Sequence, residues 1–256
     1  MSQLQNNAIV VGFKKLPDCL FTIQIQPEWD TTNLPWEPGQ FLRIGVLDDQ
    51  HGDKTLRAMT ILSIEDGVFE FLMVTVENGV TSPRLSSLRI DDRCYMEPFI
   101  TGNFHSGNLP DLTGKDLWML GTGTGIAPYL SMLKNSTSLL LRCANLILVH
   151  SVRQAQHLCS AEYVSELQTL YSSLKYVPVV TREEGKHSHL HQHIQTLLST
   201  NEIVARVGIS LSIEHSVVLL CGHPQMIKES TNVLKELGFA KHRRRTPGHI
   251  LTERYF

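Results

Sequence analysis

The strongest chemical signal in the sequence is a glycine-rich turn at 121–128 (GTGTGIAP), directly after the apolar run at 117–120. The run predicts a buried strand, and Pro128 suits the first turn of a following helix. Such a turn presents backbone N–H groups to phosphate, as dinucleotide-binding folds do. The spacing departs from G-x-G-x-x-G, because Pro128 stands at the third glycine position counted from Gly123. A tight structural turn therefore remains an alternative.

Two arginines follow the next apolar runs, Arg153 after 146–152 and Arg182 after 176–181. Open α/β sheets bind ligands beyond the carboxyl ends of their strands, and the guanidinium group matches phosphate geometry. No carboxylate precedes Arg153, where an NAD site would place one for the ribose 2′-hydroxyl. The pattern favours NADP over NAD, although each arginine alone could be a solvated loop charge.

Two kinds of periodicity divide the chain. Up to about residue 100, short runs alternate with period two, and several such strands at turn-like spacing predict a closed antiparallel barrel. The clearest runs are 21–26, 42–46 and 68–76.

After Gly102, compact apolar runs alternate with segments long enough for helices, which predicts a doubly wound parallel sheet. The expected strands are 117–120, 146–149, 176–180 and 217–221, and the expected helices are 128–134, 161–171, 190–198 and 225–237. The polar stretch 101–114 is the expected linker. We therefore predict domains at 1–103 and 104–256.

Composition limits the function classes. The 256 residues are 42% apolar, enough for a sizeable core, and a net charge of -2 indicates neither a nucleic-acid partner nor a membrane partner. An odd number of scattered cysteines without a C-x-x-C pair disfavours disulfides, structural zinc and iron–sulfur clusters. No leader or spanning segment is apparent. We expect a soluble, cytoplasmic monomer.

The chain resembles the ferredoxin-NADP reductase family, in its bacterial branch that serves ferredoxin and flavodoxin, over nearly its whole length. The matching stretches, in order, are 38–41 (PGQF), 56–60 (LRAMT), 73–76 (MVTV), 81–85 (TSPRL), 121–128, 179–183 (VVTRE), 221–226 (CGHPQM) and 243–256. The resemblance implies a six-stranded antiparallel FAD-binding barrel and then an NADP-binding α/β domain, whose C-terminal tail returns to the flavin. It implies FAD and NADPH as cofactors and ferredoxin or flavodoxin as partners.

The same resemblance implies which residues contact FAD. Arg57 would clamp the pyrophosphate, with backbone near Thr81 and Ser82 completing the cradle. Thr60 matches a serine near flavin N5, and Thr122 would approach the ring from the NADP side. The other implied FAD contacts are Ala58, Met59, Val74, Val76 and Phe256.

On the NADP side, Cys221 and Gly222 stand where the family places nicotinamide, and the NADP contacts continue through Gly123, Thr124, Gly125, Arg153 and Arg182. The implied reaction passes a hydride from nicotinamide C4 to flavin N5, after which FAD gives up electrons singly. Thr60, Cys221 and Glu253 are the candidate catalytic residues. Cys221 as a small core residue and Glu253 as an exposed tail carboxylate are the alternatives.

Three positions depart from the family pattern. Met59 replaces a tyrosine that stacks on the flavin, so a sulfur–aromatic contact would cover the ring instead. His193 replaces an arginine of the NADP site, which implies weaker or pH-dependent affinity for the 2′-phosphate. Phe256 replaces a terminal tryptophan and keeps its aromatic character.

Two clusters remain. The basic run Lys241, Arg243, Arg244 and Arg245 would steer an acidic carrier protein, with a solvated loop as the alternative. Histidines alternate at 187, 189, 191 and 193, and His189 with His193 would share a helix face if the helix begins early. No carboxylate or cysteine completes a metal site around His187, His189, His191 and His193, so none is expected.

Two rival functions share these features. A flavin reductase or an oxygenase reductase component would use the same two domains, and turnover with ferredoxin or with free flavin separates them. A non-catalytic flavin- or nucleotide-binding module would bind FAD without reduction by NADPH.

Overall fold

Two sheets organise the chain, a closed six-stranded antiparallel barrel and a five-stranded parallel sheet. The computed structural model describes residues 5–16, 20–47, 56–75, 80–159, 161–183, 189–243 and 245–254. The barrel precedes the parallel sheet along the chain, and helices cover both faces of that sheet. The predicted fold class is confirmed.

The barrel runs in the order β1-β2-β5-β4-β3-β6 and closes where β1 pairs with β6. Alternation builds it: in β5, Phe69, Phe71 and Met73 face the core while their neighbours are half-buried. Strands β1, β4 and β6 were not individually predicted. The strands are β1 (Ala8–Lys15), β2 (Leu20–Pro27), β3 (Phe41–Gly45), β4 (Arg57–Glu65), β5 (Val68–Val74) and β6 (Arg93–Met96), with helix α1 (Thr81–Ser87) between β5 and β6.

The second sheet has the order β11-β10-β7-β8-β9, and every pair is parallel. Its strands are β7 (Asp116–Thr122), β8 (Asn145–Val152), β9 (Leu174–Val180), β10 (Ser216–Gly222) and β11 (Ile250–Arg254). Its helices are α2 (Ala127–Asn135), α3 (Thr137–Leu140), α4 (Ala161–Leu170), α5 (Ile194–Ser199), α6 (Glu202–Val207) and α7 (Pro224–Glu236). Short 3₁₀ turns cover Ser106–Asn108, Gly123–Ile126 and Ala155–His157.

Along each buried strand, successive side chains pack alternately into two separate hydrophobic cores. Leu117 and Met119 pack on the face covered by α2 and α4, whereas Trp118 and Leu120 pack on the face covered by α5, α6 and α7. A strand buried on both faces reads as a continuous apolar run, which is why these strands were predictable. Within the described ranges, no helix has the length and apolar character to cross a membrane.

In the second half, one helix start was predicted wrongly and one strand was missed. Helix α5 begins at Ile194 and not near 190, so His189 and His193 do not share a helix face. The segment expected only as a returning tail contains β11, which extends the sheet beside β10. The short helices α3 and α6 were also missed, because four to six residues carry little periodicity.

Helix α2 is bonded directly to the barrel. Lys134 Nζ lies 3.0 Å from Ser63 Oγ and 3.1 Å from carboxylate oxygens of both Glu65 and Glu70. Burial lowers the pKa of Lys134, but the hydrogen bonds and the negative charges of Glu65 and Glu70 together raise it by more, so the net shift is upward. The ammonium group therefore stays charged and bridges the two halves.

Two neutral contacts complete this attachment. Asn135 Nδ2 donates to the Leu62 carbonyl at 2.9 Å, and the Gly39 N–H donates to Ser131 Oγ at 3.1 Å. Ser131 is fully buried. We call Ser131, Lys134 and Asn135 the α2 anchor. Because β4 also carries the predicted flavin contacts, the anchor fixes α2 relative to that site.

We predict that Lys134→Met lowers the free energy of unfolding by roughly 1 kcal/mol, which corresponds to a fall in Tm of about 2–4 °C. The substitution keeps the stem of the side chain and removes its bonds to Ser63, Glu65 and Glu70. Calorimetry is the measurement. The matched control is Lys235→Met, at an exposed position in the last turn of α7, and equal effects of the two substitutions would contradict the prediction.

Candidate functional site

The carboxyl ends of β7 and β10 meet with no room for another side chain. Gly222 has φ +127°, and a Cβ there would lie 2.1 Å from Thr122 Oγ1. A Cβ on Gly125 would lie 2.7 Å from the Cys221 carbonyl oxygen. Thr122 Oγ1 also accepts a hydrogen bond from the His223 N–H at 2.8 Å. Only glycine fits at 222 and 125, so the glycine turn is packed against the end of β10.

A cleft of about 1560 Å³ opens beside this edge. It brings together the predicted nucleotide residues Thr122, Gly123, Thr124, Gly125, Arg153 and Arg182. The Arg182 N–H donates to the Arg153 carbonyl at 2.9 Å, so the two arginines are immediate neighbours, and both side chains are exposed. The site therefore has backbone donors at one part of the cleft and two guanidinium groups at another.

A buried histidine that the sequence analysis missed lies under the glycine turn. His150 is 2% exposed, and its Nε2 lies 3.1 Å from the Gly123 carbonyl oxygen. Its Nδ1 lies 3.3 Å from the Tyr176 hydroxyl. Burial lowers the pKa of His150 to about 4. The available signal was a single histidine at the end of the apolar run 146–149.

Cys221 and Glu253 form a pair at the same edge. They are register partners between β10 and β11, so their side chains lie on one face of the sheet. Burial raises the pKa of Glu253 to about 8, and its Oε2 atom is buried without a hydrogen-bond partner in the described part of the chain. Burial also raises the pKa of Cys221, and the nearby Glu253 carboxyl raises it further. At neutral pH both groups are protonated.

Four of the predicted flavin contacts lie in the first four residues of β4. Arg57 and Ala58 are exposed at the start of β4, Met59 is half-buried and Thr60 is 2% exposed. Among the described residues, Arg57 makes one hydrogen bond, which is long: its Nη1 donates to the Leu56 carbonyl at 3.4 Å.

The remaining contacts lie on β5 and α1. Val74 is the half-buried last residue of β5 and lines the cleft. Thr81 and Ser82 are buried at the start of α1. Val76 and Phe256 lie outside the described residues.

The alternating histidines separate in space. His191 Nδ1 lies 3.0 Å from the Val180 carbonyl, whereas His189 and His193 line the cleft that also contains Arg153 and Arg182. His187 lies outside the described residues. Among the residues that are described, no three metal-ligating side chains come together.

Comparisons with known proteins agree with this geometry. The flavodoxin/ferredoxin–NADP reductase of Shigella flexneri is 35% identical over 241 residues, which cover 93% of this chain and 94% of that protein. The chain belongs to the flavodoxin/ferredoxin–NADP reductase family. A member from Buchnera aphidicola subsp. Baizongia pistaciae is 30% identical over 251 residues, 97% of this chain and 98% of that protein. The sequence profile of the oxidoreductase NAD-binding domain family matches residues 119–232.

A solved structure extends the family assignment to the whole fold. The ferredoxin NADP+ reductase from Neisseria gonorrhoeae, crystallised with bound FAD and NADP, is similar with a TM-score of 0.86 and 30% identity, over 98% of both chains. In the present chain, Gly123 borders open space in the cleft, and Glu253 has a carboxyl oxygen without a described partner at the same sheet edge. These features suit a planar ring with polar substituents. The residues present fit the cofactors of this reductase family.

We predict a pH dependence of stability from Glu253. Because its pKa is raised in the folded protein, its stabilising contribution is fully present below pH 4.5 and is lost as the pH rises through about 8. Glu253→Gln removes this dependence, so the variant should gain about 4 kcal/mol over the native protein between pH 4.5 and 9. Denaturant titrations across this range measure the difference. Parallel pH profiles would contradict the prediction, and the exposed Glu236→Gln is the control.

Proposed function

We propose that this chain is an FAD-dependent reductase that passes electrons between NADPH and ferredoxin or flavodoxin. The observation that carries the proposal is the shared edge. The glycine turn, the two arginines and the Cys221–Glu253 pair lie at the carboxyl ends of neighbouring strands, and α2 connects that edge to the barrel strand that carries Arg57 and Thr60. Family membership supports the same assignment.

In this proposal, bound FAD supplies a ring that takes up a hydride from nicotinamide and releases electrons one at a time. The chain itself has to hold the two rings in contact and exclude water. Arg57 would neutralise pyrophosphate charge, while Ala58, Met59 and Thr60 would border the ring. Thr81, Ser82 and Val74 would complete that cradle from α1 and β5, together with Val76.

The NADP contacts follow the cleft. Backbone N–H groups of Gly123, Thr124 and Gly125 would face the pyrophosphate, and Arg153 with Arg182 would bind the 2′-phosphate. Thr122, Cys221 and Gly222 would receive the nicotinamide. Glycine at 222 lets Thr122 pack directly against the end of β10 beside that site.

Thr60, Cys221 and Glu253 would act where the nicotinamide meets the flavin. The raised pKa of about 8 keeps a proton on the Glu253 carboxyl at neutral pH. A carboxyl that titrates near the working pH can both hold and release a proton. We propose that Glu253 exchanges protons there, with Cys221 as its neighbour and Thr60 as the hydroxyl on the barrel side.

We propose that the boundary between the two domains lies between residues 103 and 104. Thr101 still pairs with Phe41 of the barrel, whereas Phe104 packs in the core of the second half, which supports the division. Strand β11 runs beside Cys221 and Gly222 toward the C-terminus. This direction supports a tail that returns to the flavin through Phe256.

The partner surface would be the basic cluster. Lys241, Arg243 and Arg245 are exposed. The backbone of Lys241 forms an isolated β-bridge with Ile250 at the start of β11. Arg244, predicted to belong to this cluster, lies outside the described residues. A local positive patch on a chain of net charge -2 would steer an acidic carrier protein. We further propose a cytoplasmic location and a monomeric state.

Arginine substitutions test the nucleotide assignment. Arg153→Ala and Arg182→Ala should each raise KM for NADPH by roughly 10- to 100-fold, with little change in KM for NADH, because only NADPH carries the 2′-phosphate. Steady-state kinetics with both nucleotides measure the effect. The control is Arg142→Ala, an exposed arginine paired with Asp111. Equal effects on NADPH and NADH would refute the assigned role.

Charge reversal tests the partner surface. The triple variant K241E/R243E/R245E should raise KM for ferredoxin or flavodoxin by roughly tenfold or more at low salt, and the difference should shrink at high salt. KM for NADPH should remain within twofold. A carrier KM that does not respond to charge reversal would show that the basic cluster is a solvated loop.

A further inference from the structure

We propose that His150 is a positioning residue for the nucleotide. It holds the peptide unit between Gly123 and Thr124 so that the Thr124 N–H faces the pyrophosphate of NADP(H). The inference rests on the proposed function, because it assigns a role within the same cleft. His150 itself touches neither nucleotide nor flavin in this account and acts through the turn.

The position of His150 allows this role. It is the register partner of Gly121, so it occupies the same row across the sheet as Cys221 and Glu253, on the face covered by α2. Its Nε2 lies 3.1 Å from the Gly123 carbonyl oxygen, and its Nδ1 lies 3.3 Å from the Tyr176 hydroxyl. His150 is 2% exposed, so its ring is almost closed to bulk water although the residue borders the cleft.

The hydrogen-bond partners fix which nitrogen carries the proton. A neutral imidazole has one donor nitrogen and one acceptor nitrogen, and the pKa of about 4 keeps this ring neutral at physiological pH. The Gly123 carbonyl can only accept, so Nε2 is the donor. Nδ1 then accepts from the Tyr176 hydroxyl. Tyr176 thus selects the tautomer that bonds to the turn.

Peptide geometry transmits this bond to the nucleotide side. The C=O of Gly123 and the N–H of Thr124 belong to one trans peptide unit, in which they point in opposite directions. With the carbonyl directed at the buried ring, the Thr124 N–H is directed away from it, and Thr124 lies in the lining of the cleft. Gly123 has φ +55° at the start of the 3₁₀ turn Gly123–Ile126, and glycine can also adopt other conformations, so the bond from His150 adds to the hydrogen bonds of that turn in holding this one.

The test replaces His150 with either of two amide side chains of different length. Glutamine places its amide nitrogen close to the position of Nε2, whereas the shorter asparagine does not reach the Gly123 carbonyl. We expect His150→Asn to weaken NADP+ binding about tenfold, the loss of one hydrogen bond to phosphate, and His150→Gln to stay within about threefold of the native protein. Titration calorimetry on the FAD-loaded protein measures both, with exposed His215→Asn as control.

A second ligand separates positioning from general damage. Adenosine 2′-monophosphate carries the 2′-phosphate without a pyrophosphate, so its affinity should be unchanged in both variants. Equal weakening of both ligands, or equal effects of asparagine and glutamine, would overturn the role of His150 and leave the proposed function standing. Native protein that binds neither ligand would overturn the proposed function and the inference together. If His150→Asn does not fold, Tyr176→Phe replaces it, with the same selective loss expected.

Discussion

The constraint on which the rest of the structure depends is the attachment of helix α2 at both of its ends. Its first turn continues from the glycine turn, and its last turn is bonded to β4 and β5 through Lys134 and Asn135. A helix of nine residues spans about 13 Å and bends little. The orientation of the nucleotide edge relative to the barrel is therefore set by one rigid element and its anchor, in addition to apolar packing between the halves.

At that edge, burial affects both the packing of the backbone and the pKa values of side chains. Around Gly222 and Gly125 the backbone approaches so closely that any side chain would collide with Thr122 or Cys221, which fixes the glycine turn against the end of β10. Beside it, burial shifts two pKa values in opposite directions. It raises the pKa of Glu253, which keeps its proton at neutral pH, and it lowers the pKa of His150, which stays neutral. Neutral groups of this kind offer hydrogen bonds without a fixed charge. The charges needed for phosphate are left to the exposed arginines at the outer part of the cleft.

How much could be predicted from the sequence follows from the range of the interactions involved. The parallel strands and the glycine turn were predictable, because continuous apolar runs and a strand–turn–helix order are local patterns. Strand β11 was not, because the segment gains its structure only from pairing with β10. The positions of Arg153 and Arg182 at neighbouring strand ends were predicted by strand order alone, and family resemblance supplied the role of Thr60. His150 and the α2 anchor could not be predicted, since Gly123, Tyr176, Ser63 and Glu70 meet them only in the folded chain.

The central claim is that one chain holds FAD and NADPH so that electrons pass between them. Anaerobic titration of the purified, FAD-loaded protein with NADPH, followed through the visible absorption of the flavin, tests it most directly. The account predicts a yellow protein whose flavin band bleaches with NADPH, and far less readily with NADH at the same concentration. A protein that binds FAD and is not bleached by NADPH, or one that cannot be loaded with FAD, would contradict it.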